Sequence, residues 1–123
     1  MNPNPGLPDG VAPEALISRA TQVLDQTVQA LPGPIRAEVG KLTILLDVFP
    51  PEEDAENLGF YHGFTPGEVA DSEKCVQLFV GSICNYCEEE GLDFEEEVRL
   101  TFLHELGHHL GLDEDDIEMR GLL

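Results

Sequence analysis

Apolar residues recur three and four positions apart from about Pro13 to Leu31, where Leu16, Ile17, Ala20, Val23, Leu24, Val28 and Leu31 make one stripe. That period predicts an amphipathic helix. Pro13 suits its first turn, where no N–H is needed, and Pro32-Gly33-Pro34 closes it. Ile35 to Val39 reads as another short turn. From Leu42 to Val48 a run of apolar and β-branched residues, too short for a helix, predicts a buried strand that Pro50-Pro51 ends. Leu58 to His62 and Val76 to Val80 read as two more short strands, and Ser82 to Glu89 as a helix stopped by Gly91. Phe94, Val98, Phe102, Leu106 and Leu110 then line one side of a further helix. Asp93 stands at its N-cap, with Glu96 three residues on completing a capping-box pattern. Asp113 to Leu122 reads as a last short helix with an acidic first turn. The order of elements predicts a compact α/β (α+β) fold, a small mixed sheet with the N-terminal helix on one side and the long C-terminal helix on the other.

Length and composition narrow the possibilities. The chain of 123 residues is sized for one domain, expected over residues 12–123 after a disordered, polyproline-like leader at 1–11. It carries 25 acidic against 6 basic side chains, a formal charge of −19. Phosphate contacts need clustered Lys and Arg, so nucleic acid and anionic membrane are not expected partners. A neutral or cationic partner suits the field better, although an acidic surface also serves solubility. The N-terminus lacks the positive and apolar regions of a secretory signal, and no stretch approaches the roughly 18 apolar residues of a membrane span. With three free-looking cysteines, the expected setting is a reducing cytoplasm and the expected state a monomer.

Within the long C-terminal helix, His104-Glu105-Leu106-Gly107-His108 forms an H-E-x-x-H motif. Residues four apart share a helix face, so the two imidazoles can grip one Zn2+ ion while Glu105 stands beside it. Zinc held by three protein groups keeps a position for water, whose pKa falls from about 15.7 towards neutrality. Glu105 is placed to take that proton and pass it to a leaving amine. This is the chemistry of a zinc peptidase. The bland alternative, a buried helix that happens to carry polar residues, must hide three ionisable groups within five positions. His109 points about 100° away from His108, which suits a hydrogen bond or core contact better than the same ion.

The third ligand is open. In the extended pattern H-E-x-x-H-x-x-G-x-x-H, the glycine ends the helix and the turned chain returns a ligand three residues on. Gly111 and Glu114 occupy those places here. Asp113, Asp115, Asp116 and a water molecule are the competitors.

These residues resemble the minimal zincin-like metallopeptidases, small bacterial proteins with an H-E-x-x-H-H-x-G motif followed by an acidic stretch. The likeness extends over about residues 12–123, through Ala30-Leu31-Pro32, the strand Leu42-Thr43-Ile44-Leu45-Leu46, Pro50-Pro51, Gly59-Phe60-Tyr61-His62-Gly63 and Val76-Gln77-Leu78-Phe79-Val80. It implies a minimal zincin fold and zinc-dependent hydrolysis of peptide bonds in a peptide or protein substrate. The alternative is a zinc-binding interaction module with little turnover, since little chain remains to build substrate pockets.

Cys84-Asn85-Tyr86-Cys87, with Cys75 nearby, lies outside that resemblance. These thiols with His62 offer a Cys3His zinc site, and the pair alone a redox dithiol; on a helix the two cysteines also serve simply as small apolar residues on one face. Tyr61 and His62 are candidates to stabilise an oxyanion, or core aromatic positions.

Overall fold

The computed structural model describes residues 7–50, 58–62 and 74–110, with residues 60–62 described by their backbone alone. Helix α1 spans Pro13–Gln29, α2 Gly33–Val39, and strand β1 Leu42–Asp47. Strands β2 (Gly59–His62) and β3 (Lys74–Phe79) follow, then helices α3 (Val80–Glu90) and α4 (Phe94–His109). The stripe of α1 is buried at Leu16, Ala20, Leu24 and Thr27. Its helix stops short of Leu31 because the final N–H groups turn to nearer carbonyls, Ala30 to Thr27 and Leu31 to Val28, ahead of Pro32. Helix α2 is longer than its expected turn: Pro34 falls in its first turn, where a missing N–H costs nothing.

The sheet is mixed, in the order β1-β3-β2. Strands β1 and β3 are parallel, with Ile44 opposite Val76 and Leu46 opposite Leu78. Strands β2 and β3 are antiparallel, with Gly59 opposite Leu78 and His62 opposite Cys75. Alternation sorts the two faces. Val76 and Leu78 are fully buried, while Leu45 on the opposite face is exposed.

Both long helices lie over that one apolar face, which corrects the expectation of one helix on each side. Leu24 and Val28 of α1 line a groove with Ile44 and Leu46 of β1. At the other edge, a Cβ added to Gly59 would stand 2.9 Å from Leu78 Cδ2 and 3.2 Å from Thr101 Cγ2 of α4. Glycine therefore lets α4 settle onto β2. The helices also meet each other, for Arg19 of α1 pairs with Glu95 of α4 at 2.8 Å and lies 4.8 Å from the centre of the Phe94 ring. The exposed ion pair adds little, on the order of 1 kcal/mol or less. Burial does more: Leu16, Ala20, Leu24, Val76, Leu78, Val98, Phe102 and Leu106 belong to one continuous core.

The passage from β3 to α3 has no loop. Val80, expected to end the strand, begins the helix, whose first residues Val80, Gly81 and Ser82 are buried. No side chain caps this helix. Instead the carbonyl of Val48, just past β1, accepts the N–H groups of Gly81 (2.7 Å) and Ser82 (3.3 Å), satisfying donors that burial would otherwise strand. Gly91, at φ +68°, ends α3 in the left-handed conformation.

Candidate metal centre

Helix α4 carries the site. Its N-cap is as expected on one side only: the Asp93 carboxylate accepts the Glu96 N–H at 2.9 Å, but the Glu96 side chain turns to Arg99 rather than completing the box. Three acidic residues in the first turn, Glu95, Glu96 and Glu97, complement the positive end of the helix dipole. Phe94, Val98, Phe102, Leu103 and Leu106 anchor the helix in the core. His104 and Glu105 are partly buried and His108 is exposed, so the motif runs from the core boundary out to the surface.

The Nε2 atoms of His104 and His108 lie 3.1 Å apart, with ring centroids at 4.7 Å and planes at 83°. Two nitrogens sharing a tetrahedral zinc at its usual bond length stand roughly 3.3 Å apart, so the pair matches the separation an ion requires. Ligand-capable atoms of His104, Glu105 and His108 all fall within 4.8 Å of one another, and these three make the one such cluster of His, Cys, Asp or Glu among the described residues. Burial pushes the Glu105 carboxyl above the usual carboxylate range, while the nearby His108 works against that rise. A carboxylate so placed is a better proton acceptor than a solvated one.

His109 turns away from this cluster. Its side chain is only 3% exposed, and its Nε2 lies 3.5 Å from Glu38 Oε1 on α2. Burial, assisted by Lys74 and Lys41, holds its pKa below the ordinary imidazole value, against the pull of Glu38. That burial is what its direction on the helix predicts. Glu38 itself was not legible as part of this neighbourhood, because nothing in the sequence brings α2 beside the end of α4.

Gly111, Asp113, Glu114, Asp115 and Asp116 lie outside the described residues, as do the side chains of Tyr61 and His62. The cysteines do not join a metal-binding cluster among the described residues. Cys84 and Cys87 pack in the core, and Cys75 is partly buried on β3. Burial, with Glu97 and other neighbours of negative charge, pushes the Cys87 thiol up to about 11; burial and Glu88 raise Cys84. Thiols held protonated in this way are poor nucleophiles, which fits the apolar reading of the pair.

A mixed sheet with a helix bearing H-E-x-x-H across its apolar face defines a metallopeptidase-like domain. The chain belongs to the zincin-like metallopeptidase family, whose profile matches residues 39–122. That span runs from the end of α2 past the metal helix, and the family implies a metal. No curated protein is similar enough to the chain to count as a match. Among the described residues no helix is long and apolar enough to cross a membrane.

Proposed function

We propose that the protein is a zinc-dependent peptidase in which His104, His108 and Glu114 hold the ion and Glu105 is the general base and then acid. The observation that carries this reading is the convergence of the two Nε2 atoms at 3.1 Å beside a partly buried carboxylate of raised pKa, on the helix that the family match covers. When bound, zinc supplies Lewis acidity, lowering the pKa of water and polarising a carbonyl. The remaining work falls to the chain. Glu105 accepts a proton from the attacking water and returns it to the leaving amine nitrogen, so the amide C–N bond breaks and each product leaves with its proton balance met. Strand β2, beside α4 at an edge of the sheet as described, offers backbone groups to an extended peptide, which would add to it as another strand. We take the substrate to be a peptide or protein, the active unit to be the single domain over residues 12–123 as a monomer, and the setting to be the cytoplasm.

The test is metal content followed by turnover. Protein purified without chelator should carry about one equivalent of zinc, and His104→Ala with His108→Ala should abolish it, because one carboxylate alone makes a poor site. Glu105→Gln should keep the zinc and lose cleavage of a peptide library, since an amide cannot accept the proton. Full zinc retention by the double variant would sink the ligand assignment. Zinc-loaded wild type that cleaves nothing across varied peptides and pH would leave an interaction module in place of the enzyme.

A further inference from the structure

His108 is exposed and stands one residue from the end of α4. The last turn of a helix lacks partners for its carbonyls and frays first, so a ligand placed there is the hardest part of the site to hold in one direction. Among the described residues His108 meets the His104 ring edge-on but has no hydrogen bond or ion pair to an element outside α4. Its neighbour has: the buried His109 ring faces the Glu38 carboxylate of α2 at 3.5 Å. Lys41 pairs with the other oxygen of that carboxylate, and the charge of Lys74, at the start of β3, adds a weaker attraction. Lys41 and Lys74 are the only two lysines in a chain with 25 acidic residues, and both act on this one glutamate. The convergence links α2, the start of the parallel strands and the end of the metal helix.

We propose that Glu38 is a positioning residue for the metal site: through His109 it clamps the last turn of α4 against α2 and so fixes His108 relative to His104. The consequence for metal affinity rests on the zinc reading above; the clamp itself does not. Preorganised ligands bind more tightly because less motion is lost on binding, and groups supporting a metal-binding histidine are commonly worth 10-fold or more in affinity. Glu38 is partly exposed, so its replacement opens no cavity in the core.

The experiment uses the full chain with Glu38→Gln, which keeps shape and removes charge. Amide hydrogen exchange on chelator-treated protein should speed up by about 10-fold at His108, His109 and Leu110, whose N–H bonds back to Leu106, while Val98 and Phe102 in mid-helix keep wild-type rates. Zinc affinity, read by competition with a chromophoric chelator, should fall by about 10-fold with the unfolding midpoint little changed. Because Glu38 acts through His109, the double variant with His109→Gln should bind zinc no worse than His109→Gln alone. Unchanged last-turn exchange in folded Glu38→Gln overturns the proposal whether or not zinc binds, and so do additive losses in the double variant. Faster last-turn exchange in a chain whose wild type binds no zinc would uphold the clamp and overturn the function instead.

Discussion

Glu105 is asked to do two things that conflict. As a base it benefits from partial burial, which raises its pKa, yet a carboxylate kept ionised at neutral pH in that position weakens the fold. The sign follows from linkage: the folded pKa lies above the unfolded one, so the penalty is fully present above the folded pKa and disappears as pH falls below the ordinary carboxylate range. Metal-free Glu105→Gln should therefore unfold at a higher temperature than wild type at pH 7, with the gap closing by about pH 4. Thermal melts in chelator at both pH values check this, and an equal gap at each would show that charge burial is not its source. Glu114 allows a second expectation. If it completes the site, Glu114→Ala should weaken zinc by about 10- to 1,000-fold, more than alanine at Asp113, Asp115 or Asp116, and Glu114→His should recover much of the loss. Chelator competition across the five variants decides it; equal small losses would point to a diffuse acidic field. That His104, Glu105 and His108 would cluster was legible in the sequence, because helical spacing brings i and i+4 together. A third ligand beyond the helix depends on the path of the following chain, which local periodicity does not encode.

At the scale of elements, the clearest dependence on a distant partner is the start of α3. Sequence pattern located the helix but set its beginning at Ser82, since no capping residue precedes Val80. The missing cap is supplied by Val48 from another part of the chain. A Cβ on Gly81 would stand 2.6 Å from that carbonyl oxygen and 2.7 Å from Val48 Cγ1, so Gly81→Ala must push α3 away from β1. The cost should be about 1–3 kcal/mol, seen as a lower urea midpoint. Gly33→Ala is the control, because nothing lies within 4 Å of its Cβ position, and it should be close to neutral. A Gly81 variant as stable as that control would show that the junction is not tightly packed. The same dependence on partners explains the half-formed capping box on α4. Glu96 had two suitors, the N-cap N–H and Arg99 one turn on, and the charge-assisted pair is the one formed.

Over the whole molecule, amphipathic stripes announced that α1 and α4 would each bury a face but not which side of the sheet each would choose. In β3, Val76 and Leu78 are fully buried and Cys75 and Gln77 less so, with Phe79 buried where the strand runs into α3, a pattern that fits a sheet covered on one face by both helices. Charge is a property of the molecule at this scale too. A formal −19 sets up an attractive field for cations that acts before any contact is made, and its range shrinks from about 30 Å at 0.01 M salt to about 10 Å at 0.1 M. Such a field alters encounter more than chemistry. For two peptides with the same cleaved bond, one flanked by lysines and one by glutamates, kcat/KM should favour the basic peptide by about 10-fold or more at low salt. Raising the ionic strength to about 0.3 M should bring the ratio towards unity, chiefly through KM, while kcat for each stays nearly constant. A preference that survives high salt would mean that specific contacts at the site, and not the acidic surface as a whole, select the substrate.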